Sequence, residues 1–182
     1  MENDWLKERY QKVIELCENK EFEDAMQVLE DILTHEPDFA PAYNKIGVVK
    51  AKNGNLEGAE AYFNKAIALW PEFSSPYSNL GNVRLEQHDT EAAENYYLKA
   101  LEVNAENPIP YNNLARIYKN RKQIGDFIAY QKLSLKNRNK NGDQEVFRKY
   151  FGDVLAPQNK SGSGCLSYPF ILVILISILF IV

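Results

Sequence analysis

Asparagine is the residue type whose spacing in this 182-residue chain most clearly indicates chemistry. Asn79 and Asn113 are 34 residues apart, and Asn44 and Asn112 are 68 apart, which is twice that interval. An asparagine amide offers two N–H donors and one acceptor oxygen, so it can pair with the C=O and N–H groups of an extended peptide backbone. Lysine and arginine side chains stand close to these positions and would favour a ligand with carboxylates. The residue types therefore indicate peptide binding, provided that the fold brings them to one surface.

Residues suited to catalysis form no recognisable pattern. His35 and His88 lack a second histidine or a cysteine at ligand spacing, and Cys17 and Cys165 lie far apart in unlike surroundings. The sequence has no phosphate-binding glycine loop, no zinc spacing and no nucleophile elbow. A net charge of −4 argues against nucleic-acid binding. We therefore predict a protein that is not an enzyme, that uses no cofactor or metal, and that carries both histidines on its surface.

The chain is organised by an internal period. Segments 42–71, 76–105 and 110–139 align without a gap at an offset of 34, and 15–37 supplies the second half of an earlier copy. A period of this length is typical of helical repeats that stack and cover one another's apolar surfaces.

Each unit reads as two amphipathic helices. Apolar and small residues share one face between 42 and 52, and the sequence NGN at 53–55 breaks the helix. A second apolar stripe follows and ends at Trp70. A small residue at Gly47 lets the two helices approach closely, and the ring of Phe63 fills the space beside it. No strand pattern interrupts this arrangement, so the predicted fold class is all-α.

These residues resemble the tetratricopeptide repeat, a 34-residue helix–turn–helix unit with set columns for bulky, small, aromatic and proline residues. Residues 43–71 match in nearly every column, and 77–105 match with Ala105 in place of the closing proline. The outer copies depart from the pattern, since Val13 stands in a small-residue column and Phe127 stands where alanine is expected. The resemblance implies a solenoid of three to four repeats within residues 1–139, at about 6–39, 40–73, 74–107 and 108–139.

The resemblance also implies a concave surface lined by the first helix of each repeat. In the family, the residues that face this groove come one, two and five places after the bulky first-column residue. Lys52 and Lys119, further along the first helices of the second and fourth repeats, each add a positive charge. Carried over, the predicted peptide-binding groove consists of Asn44, Lys45, Val48, Lys52, Ser78, Asn79, Asn82, Asn112, Asn113, Arg116 and Lys119. The alternative is a merely solvated helix face, although asparagine has poor helix propensity.

Some adaptors of this family clamp a C-terminal dicarboxylate with two lysines, two asparagines and an arginine. Asn79 fits one position of that clamp. Val48, Ile109 and Asn113 stand where an asparagine, a lysine and an arginine would be needed. That particular activity is therefore not predicted.

The C-terminal part reads as three segments. Residues 140–155 place Val146, Phe147 and other apolar residues on one stripe, and we predict a helix that caps the apolar end of the last repeat. The alternative is an interfacial helix lying on a membrane. Residues 156–164 have the composition of a flexible linker. Residues 165–182 are 18 uncharged residues, long enough at about 1.5 Å per residue to approach the thickness of a bilayer core.

We expect residues 165–182 to be a single C-terminal transmembrane anchor. No N-terminal signal peptide is visible, and Arg148, Lys149 and Lys160 favour a cytoplasmic position for the repeats. Cys165 is either acylated at the membrane junction or an unmodified junction residue.

The predicted function combines these features. The sequence indicates a non-catalytic, membrane-tethered adaptor that binds an extended or acidic peptide segment of an unidentified protein in its concave groove, at the cytosolic face. Lipid is contacted through residues 165–182. The alternative is a membrane-associated structural scaffold that assembles by self-association.

Overall fold

The structure is a computed structural model that describes residues 2–138 and 142–152, and in these ranges it contains only α-helices and no strand. The helices are α1 (Glu2–Asn19), α2 (Phe22–His35), α3 (Ala40–Lys52), α4 (Leu56–Leu69), α5 (Ser74–Glu86), α6 (Thr90–Val103), α7 (Pro108–Asn120), α8 (Ile124–Asn137) and α9 (Gly142–Phe151). Helices α1 to α8 pack as four consecutive pairs, which stack in chain order. The prediction of an all-α solenoid is confirmed.

Within the second and third pairs, a glycine of the first helix contacts an aromatic ring of the second. A Cβ atom on Gly47 would lie 2.5 Å from Cε1 of Phe63, and one on Gly81 would lie 2.5 Å from Cε1 of Tyr97. Both rings are fully buried and cannot move aside easily. The predicted close approach of paired helices at these columns is therefore confirmed.

The fourth pair departs from this packing. Ala115 occupies the glycine column, and the exposed Gln131 occupies the column of the aromatic ring. The methyl group is tolerated here because no ring competes for the space. Phe127, which stands where alanine is expected, is only partly buried, and the Lys119 ammonium lies 5.9 Å from the centroid of its ring.

The turn inside every pair is built in the same way. One residue in each turn has a positive φ, and the four positions, 34 residues apart, are Lys20 (65°), Gly54 (80°), His88 (65°) and Lys122 (62°). Only one of them is glycine, the residue that adopts this left-handed region without a steric penalty. Asn55 and Asp89 then cap the following helix by accepting a hydrogen bond from the backbone N–H three residues later.

Helix α9 does not cover the end of the last repeat, so that prediction is wrong. Its residues Val146 and Phe147 are fully buried in a cluster that includes Tyr10 of α1, Phe39 and Trp70. Helix α9 packs instead on the aromatic surface of the first repeats, where its Asp143 and Glu145 find the polar partners Lys45 and Ser74. Since these two side chains are inside the protein, they are also not available to a membrane surface.

No other described part of the chain covers the outer face of α8. Ile124, Ile128 and Leu135 are 56%, 46% and 60% exposed, and they share one stripe at helical spacing.

Within the described parts of the chain, no helix has the length and apolar character needed to span a bilayer. The predicted linker at 156–164 and the predicted anchor at 165–182, with Cys165, lie outside the described residues.

Candidate functional site

The predicted groove residues all lie on α3, α5 and α7, the first helices of the second, third and fourth pairs. The structure separates them into three groups. One group joins neighbouring helices of the solenoid, one contacts α9, and one remains open to solvent, while Lys119 lies apart, beside the ring of Phe127 on α8.

Asparagine side chains join the neighbouring first helices. Asn79 of α5 donates from Nδ2 to Oδ1 of Asn44 on α3 over 2.9 Å. Asn113 of α7 donates in the same way to Oδ1 of Asn82 on α5 over 3.0 Å, and the hydroxyl of Tyr97 donates to the same oxygen over 2.7 Å. The acceptor oxygens of Asn44 and Asn82 are therefore used inside the protein, and these amides stabilise the stacking of repeats as well as lining the concave side.

Two further groove residues are engaged by the solenoid itself. Ser78 is fully buried, and its Oγ accepts a hydrogen bond of 3.2 Å from Nδ2 of Asn107. Oδ1 of Asn112 accepts a hydrogen bond from the hydroxyl of Ser134 on α8. Both side chains fix junctions between helices, and the buried Ser78 is not accessible to a ligand.

The open group lies along the C-terminal halves of α3, α5 and α7. A cavity of about 100 Å³ lies between the second and third repeats, with Val48, Lys52 and Asn82 in its wall. It continues into a wider, more polar recess of about 510 Å³, lined by Lys52, Asn82, Leu85, Glu86, Asn113 and Arg116. We call this continuous surface the open recess. It presents the cations of Lys52 and Arg116 and three amides beside one carboxylate, Glu86, which sequence reasoning missed.

Lys45 belongs to the second group, because it contacts α9. Its Nζ lies 2.9 Å from Oδ1 of Asp143, and the hydroxyl of Tyr10 donates to the same carboxylate oxygen over 3.0 Å. Burial acts to lower the pKa of Lys45, but the ion pair and hydrogen bond with Asp143 outweigh it and raise the pKa above its usual value. The lysine is therefore charged, and it is directed at a residue of its own chain.

Glu145 of α9 binds the N-terminus of α5. Its Oε1 accepts from the backbone N–H of Ser74 over 3.2 Å, and its Oε2 accepts from the Ser74 hydroxyl over 2.8 Å. The cap residue of α5, Phe73, offers no side-chain acceptor of its own. Glu145 of α9 therefore caps the N-terminus of α5. The dipole of α5 favours negative charge at this end of the helix. Burial is the main cause that raises the pKa of this carboxyl.

Aromatic rings complete the contact between α9 and the repeats. Trp70 stacks on Phe73 with ring centroids 4.6 Å apart, and the Lys149 ammonium lies 4.0 Å from the Trp70 centroid. Tyr150 meets Phe39 edge-on at 4.8 Å and Trp70 at 5.6 Å. We call the surface formed by Tyr10, Phe39, Lys45, Trp70, Phe73 and Ser74 the α9 site.

One column of the repeat sequence marks the α9 site. Phe39 and Phe73 occupy the same column of successive repeats, and Asn107 follows in that column of the next. Aromatic rings therefore collect at the first two junctions only. Asn107 instead donates from Nδ2 to the hydroxyl of Ser74 over 3.0 Å, which fixes the side chain that Glu145 contacts.

Residues 38–133 are tetratricopeptide repeats. Two models of this family, both described as tetratricopeptide repeat, match residues 38–106 and 96–133. The resemblance seen in the sequence is thereby confirmed for this region, and such repeats are generally non-catalytic protein-interaction units. Comparison with curated proteins finds no match to the chain.

Solved structures share the fold. Two crystal structures of MamA superpose with TM-scores of 0.58 and 0.56 at 17% and 18% identity, covering 78% and 84% of this chain and 80% and 79% of theirs. A structure of Naa15/Naa10 bound to HypK-THB has a TM-score of 0.63 at 18% identity over 73% of this chain and 20% of that one. At these identities, the likeness shows a common helical architecture.

Proposed function

We propose that the protein is a non-catalytic, membrane-tethered adaptor that binds an extended peptide segment with a carboxylate in the open recess, at the cytosolic face. The single observation that carries this proposal is the composition of the recess. Lys52 and Arg116 face the same space as the amides of Asn82 and Asn113, with Glu86 as the one acid in its lining. Amide and guanidinium donors suit peptide carbonyls and carboxylates, and the acid offers an acceptor for a backbone N–H.

The structure also indicates which variants test this best. Asn82 and Asn113 hold neighbouring repeats together, so replacing them would mix folding with binding. Arg116 and Lys52 are exposed, and their replacement by alanine should leave the packing intact. We expect Lys52→Ala with Arg116→Ala in the full chain to weaken binding to an immobilised array of acidic peptides at least tenfold.

The matched control is Lys65→Ala with Lys132→Ala, which removes the same charge from exposed positions outside the recess. If the recess variant and the control bind the array equally well and both keep their helicity, the open recess is not a peptide site.

Membrane tethering through residues 165–182 is part of the same proposal. Its support is the uncharged composition of these 18 residues next to a linker-like segment. The test is alkaline carbonate extraction of vesicles that carry the full chain or a chain ending at residue 164. Retention of the full chain alone supports the anchor, and release of both overturns it.

A self-assembling scaffold is the second candidate, favoured by the uncovered face of α8. Ile124 and Leu135 occupy the columns of Leu56 and Ile67, which pack against α5 between the second and third repeats. The opposite end of the solenoid does not match this face, as the polar outer face of α1 shows.

Lys12 and Glu15 of α1 stand in the columns of Ile46 and Val49, and both are exposed. Head-to-tail stacking would place them on apolar side chains without compensation. Self-association would therefore have to pair two α8 faces. Light scattering of the full chain in detergent, with and without Ile128→Glu, separates the two candidates. A dimer that the substitution abolishes supports the scaffold, and a monomer in both cases supports the adaptor.

A further inference from the structure

Helix α9 is held by contacts with three different repeats. Asp143 binds Lys45 of the second repeat and Tyr10 of the first, while Glu145 binds Ser74 of the third. Val146 and Phe147 pack in the aromatic cluster of the α9 site and have no exposed surface. Helix α9 is therefore held by two acidic side chains and by two buried apolar ones.

The helices of the repeats also contact one another directly, without α9 between them. Helices α1 to α8 contact one another in consecutive order. They are joined by the glycine–aromatic contacts within pairs and by hydrogen bonds between asparagine side chains of neighbouring first helices. A helix of 10 residues such as α9 is marginal in water by itself, so contacts with the α9 site keep it folded. Its release would leave the direct contacts among α1 to α8 in place and α9 unfolded.

Release would also uncover a surface with the composition of a binding site. Tyr10, Phe39, Trp70 and Phe73 would form an exposed aromatic patch beside the cation of Lys45 and the N-terminus of α5. Aromatic side chains are enriched at protein interfaces, and contiguous exposed apolar patches mark interaction sites. The patch is thus suited to a second ligand with the chemistry of α9.

We propose that the α9 site is a receptor for a short acidic–aromatic helix of a partner protein, and that α9 is its exchangeable intramolecular occupant. The inference rests on the proposed adaptor function and adds a second, regulated site to the open recess. The partner helix has the same pattern as α9. It carries acids at the positions of Asp143 and Glu145, two apolar residues immediately after the second acid, and an aromatic residue at the position of Tyr150. Such a helix binds by displacing α9, so the tether between α8 and α9 sets how strongly it must bind.

The experiment uses the full chain in detergent micelles and a labelled synthetic peptide of residues 140–153. In the opened variant, Val146→Asp with Phe147→Ser, α9 can no longer occupy its site. We expect the opened variant to bind the peptide at least tenfold more tightly than the unmodified chain does. A peptide with both acids replaced, Asp143→Asn and Glu145→Gln, should bind at least tenfold more weakly than the natural peptide.

The fluorescence of Trp70 reports independently on the release of α9, since Lys149 and Tyr150 of that helix contact its ring. With Trp5→Phe as background, the emission of Trp70 should shift in the opened variant and return when the peptide is added. Lys132→Ser, at an exposed position of α8, is the matched control and should leave the emission unchanged.

A charge swap keeps the proposal testable if the opened variant loses helicity. Lys45→Glu should release α9 and bind a peptide carrying Asp143→Lys in preference to the natural one. Equal, weak binding of the natural peptide to the opened and unmodified chains, with helicity retained, overturns the proposal. A one-to-one complex between the opened and unmodified chains would identify a second copy as the occupant and overturn the assignment to a different protein.

The outcome is separable from that of the adaptor proposal. Lys52→Ala and Arg116→Ala lie in the open recess and should not alter binding of the 140–153 peptide. If those variants lose binding to the acidic peptide array and the opened variant does not bind the 140–153 peptide, the adaptor proposal is supported and the proposal of an exchangeable α9 is overturned.

Discussion

Lys45 and Asp143, 98 residues apart in the sequence, form an ion pair of 2.9 Å that joins the second repeat to the last helix of the described chain. The two side chains are 16% and 22% exposed, so water screens the pair only in part. The Tyr10 hydroxyl donates to the same carboxylate, so three elements meet at one oxygen.

Asp143→Asn should therefore destabilise the full chain. A partly buried lysine left without its carboxylate costs about 2 kcal/mol of unfolding free energy, less than for a fully buried pair. Urea unfolding followed by circular dichroism measures this change. The exposed pair of Lys12 and Glu15, 55% and 66% exposed, is the control, and Glu15→Gln should cost below about 0.5 kcal/mol. Equal effects of the two substitutions would contradict a special role for Lys45.

Gly81→Ala should destabilise the third repeat, because the new methyl group would overlap the buried ring of Tyr97. The cost of overpacking is about 1–3 kcal/mol. Gly125→Ala in α8 is the matched helical control, since a Cβ there meets no atom within 4 Å. That variant should be more stable by up to about 1 kcal/mol, as alanine has the higher helix propensity. Thermal unfolding should move in opposite directions for the two, and a shared direction would refute the packing argument.

His88→Gly should stabilise the chain, because His88 holds a φ of 65° that only glycine adopts freely. The expected gain is about 1 kcal/mol, less the entropy that glycine gains in the unfolded chain. Gly54→Ala, at the same position of the preceding repeat, should lose a similar amount. The free energy of unfolding in urea distinguishes these signs. A loss of stability in His88→Gly would show that the imidazole has a structural role beyond its exposed position.

Glu145 should make stability depend on pH. Burial raises the pKa of this carboxyl above its usual 4.5, while the Ser74 and Asn104 hydrogen bonds and the Arg148 charge partly oppose the shift. A raised pKa means that the folded chain holds the proton more tightly than the unfolded chain. The stabilisation that Glu145 contributes is therefore fully present below pH 4.5, and it is lost as the pH rises through the raised pKa of the folded chain.

Comparing the unmodified chain with Glu145→Gln at several pH values tests this sign. The difference in unfolding free energy should grow in favour of the unmodified chain as the solution becomes more acidic. A difference that does not change with pH would show that Glu145 titrates normally in the folded protein.

The asparagine residues show where sequence reasoning reached only part of the answer. Their recurrence correctly placed them on adjacent first helices, since the repeat period alone determines that register. Their hydrogen bonds could not be read from the period. Asn79 reaches back to Asn44, and Asn113 reaches back to Asn82, because the offset between stacked helices brings non-equivalent columns into contact.

The sequence by itself determined the repeats, the paired helices and the glycine–aromatic contacts at Gly47 and Gly81. These features are local or recur at a constant interval, so one unit predicts the next. Only the tertiary structure decided where α9 packs. Its apolar stripe is compatible with any uncovered apolar surface, including the exposed face of α8. The choice depends on Lys45 and Ser74, which lie far away in the chain and become neighbours only when the repeats stack.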